Sequence, residues 1–258
     1  MMDITTLWKK LYEKSKIGFA VSWIIAYCVL MSAGDSLSAR IGIEKSATLV
    51  IGVFLAVTLL LFLKKNGLFS DYGLCASKTS LRSMLYYIPI FIMLSANLWH
   101  GVALNYGAPE TVLYILTMLC VGFLEEVIFR GLLFEAMRKD NVKAAVVVSS
   151  VTFGIGHIIN LINGSGAELL PNLLQVVYAT AAGFMFVMMY YKSKSLLACI
   201  AAHGVFNSLS VFADEASATN GMRILTALLL TVITGSYALY LALSMKKKPM
   251  GSILDSAE

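Results

Sequence analysis

Eight stretches of this chain, centred roughly on residues 17–33, 47–63, 84–104, 111–134, 143–160, 170–191, 195–213 and 223–245, are mainly apolar. Each comes close to the about 20 residues that a helix needs to cross a bilayer. Inside hydrocarbon every backbone N–H and C=O must be satisfied within the chain, so runs of this length are accommodated as helices. The expected fold is therefore all-α: a polytopic integral membrane protein of about eight transmembrane helices, read as one transmembrane domain over residues 1–258. Composition agrees, because 59% hydrophobic and 14% charged residues with a mean hydropathy of +0.79 leave little sequence for a soluble domain. No internal repeat, low-complexity tract or linker divides the chain. The first span follows Lys9, Lys10, Lys14 and Lys16. At about 17 apolar residues it exceeds the hydrophobic region of a signal peptide and lacks a small-residue cleavage site, so a retained anchor is expected.

The basic residues are distributed with a direction. Alternate connections hold 16 of the Lys and Arg residues, from Lys9 through Lys64, Lys78, Arg138 and Lys192 to Lys246, Lys247 and Lys248, whereas the opposite connections hold only Arg40, Lys45 and Arg223. Such an asymmetry orients a polytopic protein with its basic loops in the cytoplasm, so both termini are expected there, in the cell membrane. It also accounts for the net charge of +5 without nucleic acid as a partner. Cys28, Cys75, Cys120 and Cys199 show neither CxxC spacing nor a secreted framework and read as packing residues. Tyr86, Tyr87, Trp99, Tyr190 and Tyr191 near span ends read as an interfacial belt, and His100 as an interfacial or packing residue.

The informative residues are the polar ones inside the spans. The stretch VGFLEEVIFRGLLF, residues 121–134, carries Glu125, Glu126 and Arg130; span five carries His157 and Asn160, and span seven His203 and Asn207. A charge at mid-bilayer costs about 2.5–3.5 kcal/mol on insertion scales, so these groups must face inward and find partners. On a regular helix Glu126 and Arg130 are one turn apart, whereas Glu125 lies about 140° from Arg130 around the axis. Glu126 is therefore expected to pair with Arg130 and to leave Glu125 for chemistry. Phe153 stands one turn before His157 and is placed to shield it from lipid. If residues 138–143 form the turn of an antiparallel hairpin, Glu125 and His157 come to equal depth. His203, about 8 to 10 residues beyond the connection near Lys192, reaches the same level if that hairpin projects about two turns into the cytosol, with an opening expected on the cytoplasmic side.

A carboxylate in a low-dielectric site is suited to taking a proton from water. A histidine beside it can hold that water as base partner or metal ligand, and an imidazole with an amide can donate to an oxyanion. These are parts of an amide hydrolase. No serine or cysteine nucleophile elbow, HExxH or Asp-rich metal motif occurs.

The three motifs EEVIFR, FGIGH and HGVFN together resemble the CPBP intramembrane proteases, also called the Abi family, which include CAAX prenyl endopeptidases and bacteriocin-processing or immunity proteins. That family carries EExxxR, FxxxH and HxxxN on separate helices of an eight-span fold, and the resemblance covers residues 110–213, the motif-bearing catalytic core. It implies an intramembrane endopeptidase in which Glu125 is the general base acting on water, His157 its partner, and His203 with Asn207 the oxyanion-side or metal-side pair. Glu126, Arg130 and Phe153 would support the site. Glu125, His157 and His203 could supply the three protein ligands that Zn2+ requires, and they equally suit a metal-free glutamate mechanism. Implied partners are membrane lipids and a membrane-associated peptide, such as a bacteriocin, a pheromone precursor or a prenylated CAAX-like C-terminus. A noncatalytic membrane regulator or immunity protein of the same fold is the alternative. A proton-coupled transporter is disfavoured, because the sequence has neither an inverted repeat nor paired broken helices.

Overall fold

A computed structural model describes residues 4–163 and 167–246; Lys247 and Lys248 of the expected basic C-terminus lie outside them. Among the described residues the fold is all-α, with only an isolated bridge between Val102 and Ala213. In chain order the helices are α1 (Ile4–Lys14), α2 (Lys16–Ile41), α3 (Ser46–Lys65), α4 (Ile88–Ser95), α5 (Ala108–Arg138), α6 (Val142–Leu161), α7 (Leu169–Ser193), α8 (Leu197–Leu209) and α9 (Asn220–Lys246). Local signals set several ends. Ser15 caps α2 by accepting from the Gly18 N–H at 3.0 Å, and Asn141 caps α6 by accepting from that of Ala144, also at 3.0 Å. Gly42 closes α2 in the left-handed conformation, with φ 76°. The four cysteines are free thiols.

Six helices, α2, α3, α5, α6, α7 and α9, are long and apolar enough to cross a membrane. This is a multi-pass membrane protein. The third and seventh expected spans are helical but shorter. In the third, Leu85, Tyr86 and Tyr87 have φ of 49°, 52° and 59°, and Pro89 starts a new helix, so only Ile88–Ser95 is α-helical. The left-handed conformation costs about 1–2 kcal/mol per residue; one contact that pins this break is the Tyr237 hydroxyl, which donates to the Met84 carbonyl at 2.6 Å. The seventh is the apolar stretch Leu197–Phe212.

Burial shows which helices are central. Half of α5 and 56% of α7 are buried over their most apolar windows, against 28–33% for the other four long helices. Those outer helices turn residues such as Val50, Phe54, Leu61 and Leu239 outward, the surface a lipid-facing bundle requires. Helix α8 reaches the centre because two glycines remove the side chains between it and α5. A Cβ on Gly122 would stand 2.5 Å from the Gly204 N and 2.6 Å from its Cα, so the two backbones touch. Gly122→Val is therefore expected to separate α5 from α8, at a cost at or above the upper end of the about 1–3 kcal/mol of overpacking. Thermal unfolding in detergent checks it, with Gly235→Ala as the control, since that site has open space around it and no loss is expected there.

Candidate active site

From Glu126 to Phe134 helix α5 widens into a π-helical segment, and all nine of its residues are buried. π segments loosen the regular hydrogen-bond ladder and recur at functional sites. Here a neighbour helps to satisfy the altered backbone: the Ser149 hydroxyl on α6 donates to the Phe129 carbonyl at 2.8 Å. Glu125 and Glu126 themselves keep ordinary helical backbone angles. Both carboxylates meet one imidazole on α8. His203 Nδ1 lies 2.8 Å from Glu126 Oε1, and His203 Nε2 lies 3.3 Å from Glu125 Oε2.

The first contact is a hydrogen bond, and an ionised Glu126 makes Nδ1 its donor. The second has ion-pair distance without hydrogen-bond alignment, since Glu125 Oε2 has no hydrogen-bond partner among the described residues. The other Glu125 oxygen accepts from the Tyr27 hydroxyl on α2 at 2.6 Å. Glu126 Oε1 also lies 3.2 Å from Arg130 NH1, with neither side chain exposed. The Arg130 guanidinium makes no aligned hydrogen bond among the described residues. It lies over the rings of Phe153 at 4.1 Å and Phe186 at 5.6 Å, where aromatic faces attract the cation. The same rings hold His203, Phe186 stacked on it and Phe153 edge-on.

His157 stands where α6 tightens into a 3₁₀ turn. Its ring meets Phe153 edge-on, with centroids 5.3 Å apart, and its carbonyl accepts from Asn172 Nδ2 at 2.8 Å. Phe153 therefore contacts both imidazoles and the guanidinium. Glu125, His157 and Asn207 line one cavity of about 300 Å³. His157 and Asn207 also border a smaller, mainly apolar recess of about 40 Å³ that includes His203. The imidazole within 4 Å of Glu125 is that of His203.

The larger cavity extends away from the basic connections, the side on which an opening is expected from the sequence. Its lining runs from Glu125 to Asp35, Lys45, Thr48 and Asn163, at the helix ends opposite the basic connections. Towards the basic end the π segment fills the bundle with buried Leu132, Leu133 and Phe134, and Tyr190 packs edge-on against Phe134. The depth argument places Glu125 and His157 but says nothing about which end is plugged. Near the far end of the cavity Lys45 Nζ pairs with Asp35 Oδ1 at 2.8 Å, and the Thr48 hydroxyl donates to the same oxygen at 2.8 Å.

Two groups of this site escape sequence reasoning. Tyr27 lies in mid-span, away from the interfacial belt, and a buried hydroxyl in lipid implies a partner; that signal is present but does not name Glu125. Asp35 is an acid within the last two turns of α2, and nothing in its local sequence ties it to the cavity. Among the described residues no group of three or more His, Cys, Asp or Glu side chains is placed to hold a metal ion. His203 Nε2 and Glu125 Oε2 offer two neighbouring ligand atoms, with Nδ1 held by Glu126 as an outer carboxylate holds a metal-bound imidazole, but among the described residues His157 does not join them as a third.

Residues 107–209 match the family model described as type II CAAX prenyl endopeptidase Rce1-like. The Bacillus subtilis (strain 168) protein named "Putative membrane peptidase YdiL" is 35% identical over 101 residues. That match spans 38% of this chain and 36% of the relative's own length. No solved structure matches. The matched stretch carries both glutamates, Arg130, Phe153, His157, His203 and Asn207, so the residues that resemble the CPBP family all lie within the region similar to the Rce1-like model.

Proposed function

We propose that this protein is an intramembrane endopeptidase that hydrolyses a peptide bond of a membrane-associated peptide, with Glu125 as the general base. One observation carries the reading: Glu125 is held from two sides, by the Tyr27 hydroxyl and by His203, on the wall of a cavity of about 300 Å³ within the bundle. A carboxylate fixed in this way can take a proton from a water molecule without reorganising first. The water oxygen attacks the carbonyl carbon, Glu125 takes the proton, and the proton passes to the amine nitrogen as the C–N bond breaks. His203 Nε2, facing Glu125 Oε2, steadies the carboxylate while it carries the proton. His157 and Asn207 on the cavity wall are the donors to the oxyanion, and Glu126 with Arg130 fixes the tautomer and position of His203. Glu125 and His203 offer two of the three protein ligands that a catalytic zinc takes, and no step above requires one.

The cavity supports access from the end opposite the basic loops, which the positive-inside pattern assigns to the extracytoplasmic side. A peptide secreted or anchored there, such as a bacteriocin or pheromone precursor, suits that entry better than a cytoplasmic prenylated C-terminus.

Glu125→Gln keeps the shape and removes the base. Cleavage by the purified protein is expected to fall by about 10²–10⁴-fold with unchanged thermal stability. Full biological activity in that variant would instead favour a noncatalytic regulator or immunity protein. Tyr27→Phe removes one hydrogen bond to a carboxylate, worth about 1.5–3 kcal/mol. The expected loss is tenfold or more in kcat with little change in KM, read from steady-state cleavage of the same peptide. Activity is also expected to survive treatment with a chelator such as 1,10-phenanthroline; its loss and restoration by zinc would overturn the metal-free assignment.

A further inference from the structure

At the opposite end of the bundle from the cavity lies a second hollow that the proposed chemistry does not use. It is a recess of about 670 Å³ bordered by Lys16, Lys78, Arg138, Lys139 and Lys194, with Asp71 and Glu135 as its acids. Tyr72 and Tyr190 are its buried members, 4% and 2% exposed; Tyr190 stands here and not in an interfacial belt. The recess is built firmly. The connection between α3 and α4 is stapled to the turn between α7 and α8 by three hydrogen bonds: Lys78 N–H to the Ser193 carbonyl at 2.9 Å, Ser195 hydroxyl to the Cys75 carbonyl at 2.6 Å, and Leu196 N–H to the Gly73 carbonyl at 2.8 Å. Gly73, with φ 72°, lets the connection press against the Tyr190 ring, where a Cβ would collide.

The charges within it do not cancel. Glu135 is taken by Arg138. None of Lys16, Lys78, Lys139 and Lys194 is ion-paired to a carboxylate among the described residues. Burial, with Arg138 and Lys78 close by, holds the Lys194 ammonium below its ordinary range, although Glu135 opposes the shift. Topology needs basic residues on this side in number, but it does not need them to converge on one tyrosine-floored hollow.

The level of the recess is marked by α1. This short amphipathic helix rests Trp8 on Phe19 and Trp23, at centroid distances of 5.6 and 5.1 Å, and keeps Lys9, Lys10, Glu13 and Lys14 exposed, the pattern of a helix lying in the membrane interface. Its Tyr12 accepts a hydrogen bond from the Tyr72 hydroxyl at 2.9 Å and joins the recess wall. The geometry points to a binding site for the phosphate headgroup of an anionic phospholipid, formed by Lys16, Lys78, Lys139 and Lys194 around the Tyr72–Tyr190 floor.

The test uses the full chain purified in a mild detergent, with phosphatidylglycerol and phosphatidylcholine of identical acyl chains as probes, and reads bound lipid by native mass spectrometry. Preferential retention of phosphatidylglycerol is expected, and K78Q/K194Q should weaken it by about fivefold per charge removed. K9Q/K14Q removes the same charge from the outward face of α1 and should leave retention unchanged. Equal retention of the two lipids would overturn the proposal, as would equal losses in the two double variants, which would mean diffuse surface attraction. Displacement of the lipid by millimolar inorganic phosphate would make the recess a free-phosphate site and overturn the lipid assignment. Both double variants should elute and unfold like the unmodified protein.

Discussion

Arg130 is a cation with no exposure, set within a helix that is otherwise lipid-like, and the arrangement of the site follows from having to balance it. Glu126 does so through a single oxygen, which also receives the Nδ1 hydrogen bond of His203. The rings of Phe153 and Phe186 complete the enclosure and fix the imidazole between them. Breaking such a buried pair costs about 3–5 kcal/mol because the surviving charge is stranded. The immediate role of the Glu126–Arg130 pair is therefore to hold His203 where its second nitrogen faces Glu125. The close approach of α5 and α8 at Gly122 and Gly204 makes that distance attainable, because a side chain at Gly122 would drive the two backbones apart.

Much of this was legible in the sequence because it depends on chemistry confined to one helix at a time. Helix length, the inward need of intramembrane charges and the Glu126–Arg130 pairing all follow from local spacing. What depends on several helices at once was not legible. Both glutamates meet one imidazole because α8 lies against α5, and the π segment from Glu126 is braced by a hydroxyl on α6. Tyr27 is 98 residues from the carboxylate it touches. The third span is interrupted by three consecutive left-handed residues, none of them glycine, which no propensity would place there. The direction of the cavity belongs to the same class: depth along each helix can be counted, but which end is plugged depends on how Phe134 meets Tyr190.

The two ends of the bundle are built for different tasks, and the division has a common cause. Leu132, Leu133, Phe134 and Tyr190 pack the basic end of the π segment, while the cavity beside Glu125 extends towards the other end. The same packing gives the basic end a rigid floor. Tyr190 meets Phe134 edge-on and has its hydroxyl end in the basic recess, 3.5 Å from the Asp71 carbonyl. If a lipid headgroup fills that recess, it bears on a ring that packs against the π segment, and the proposed lipid site and the proposed hydrolytic site share a wall: Tyr190 meets Phe134 at the end of the segment that begins with Glu126.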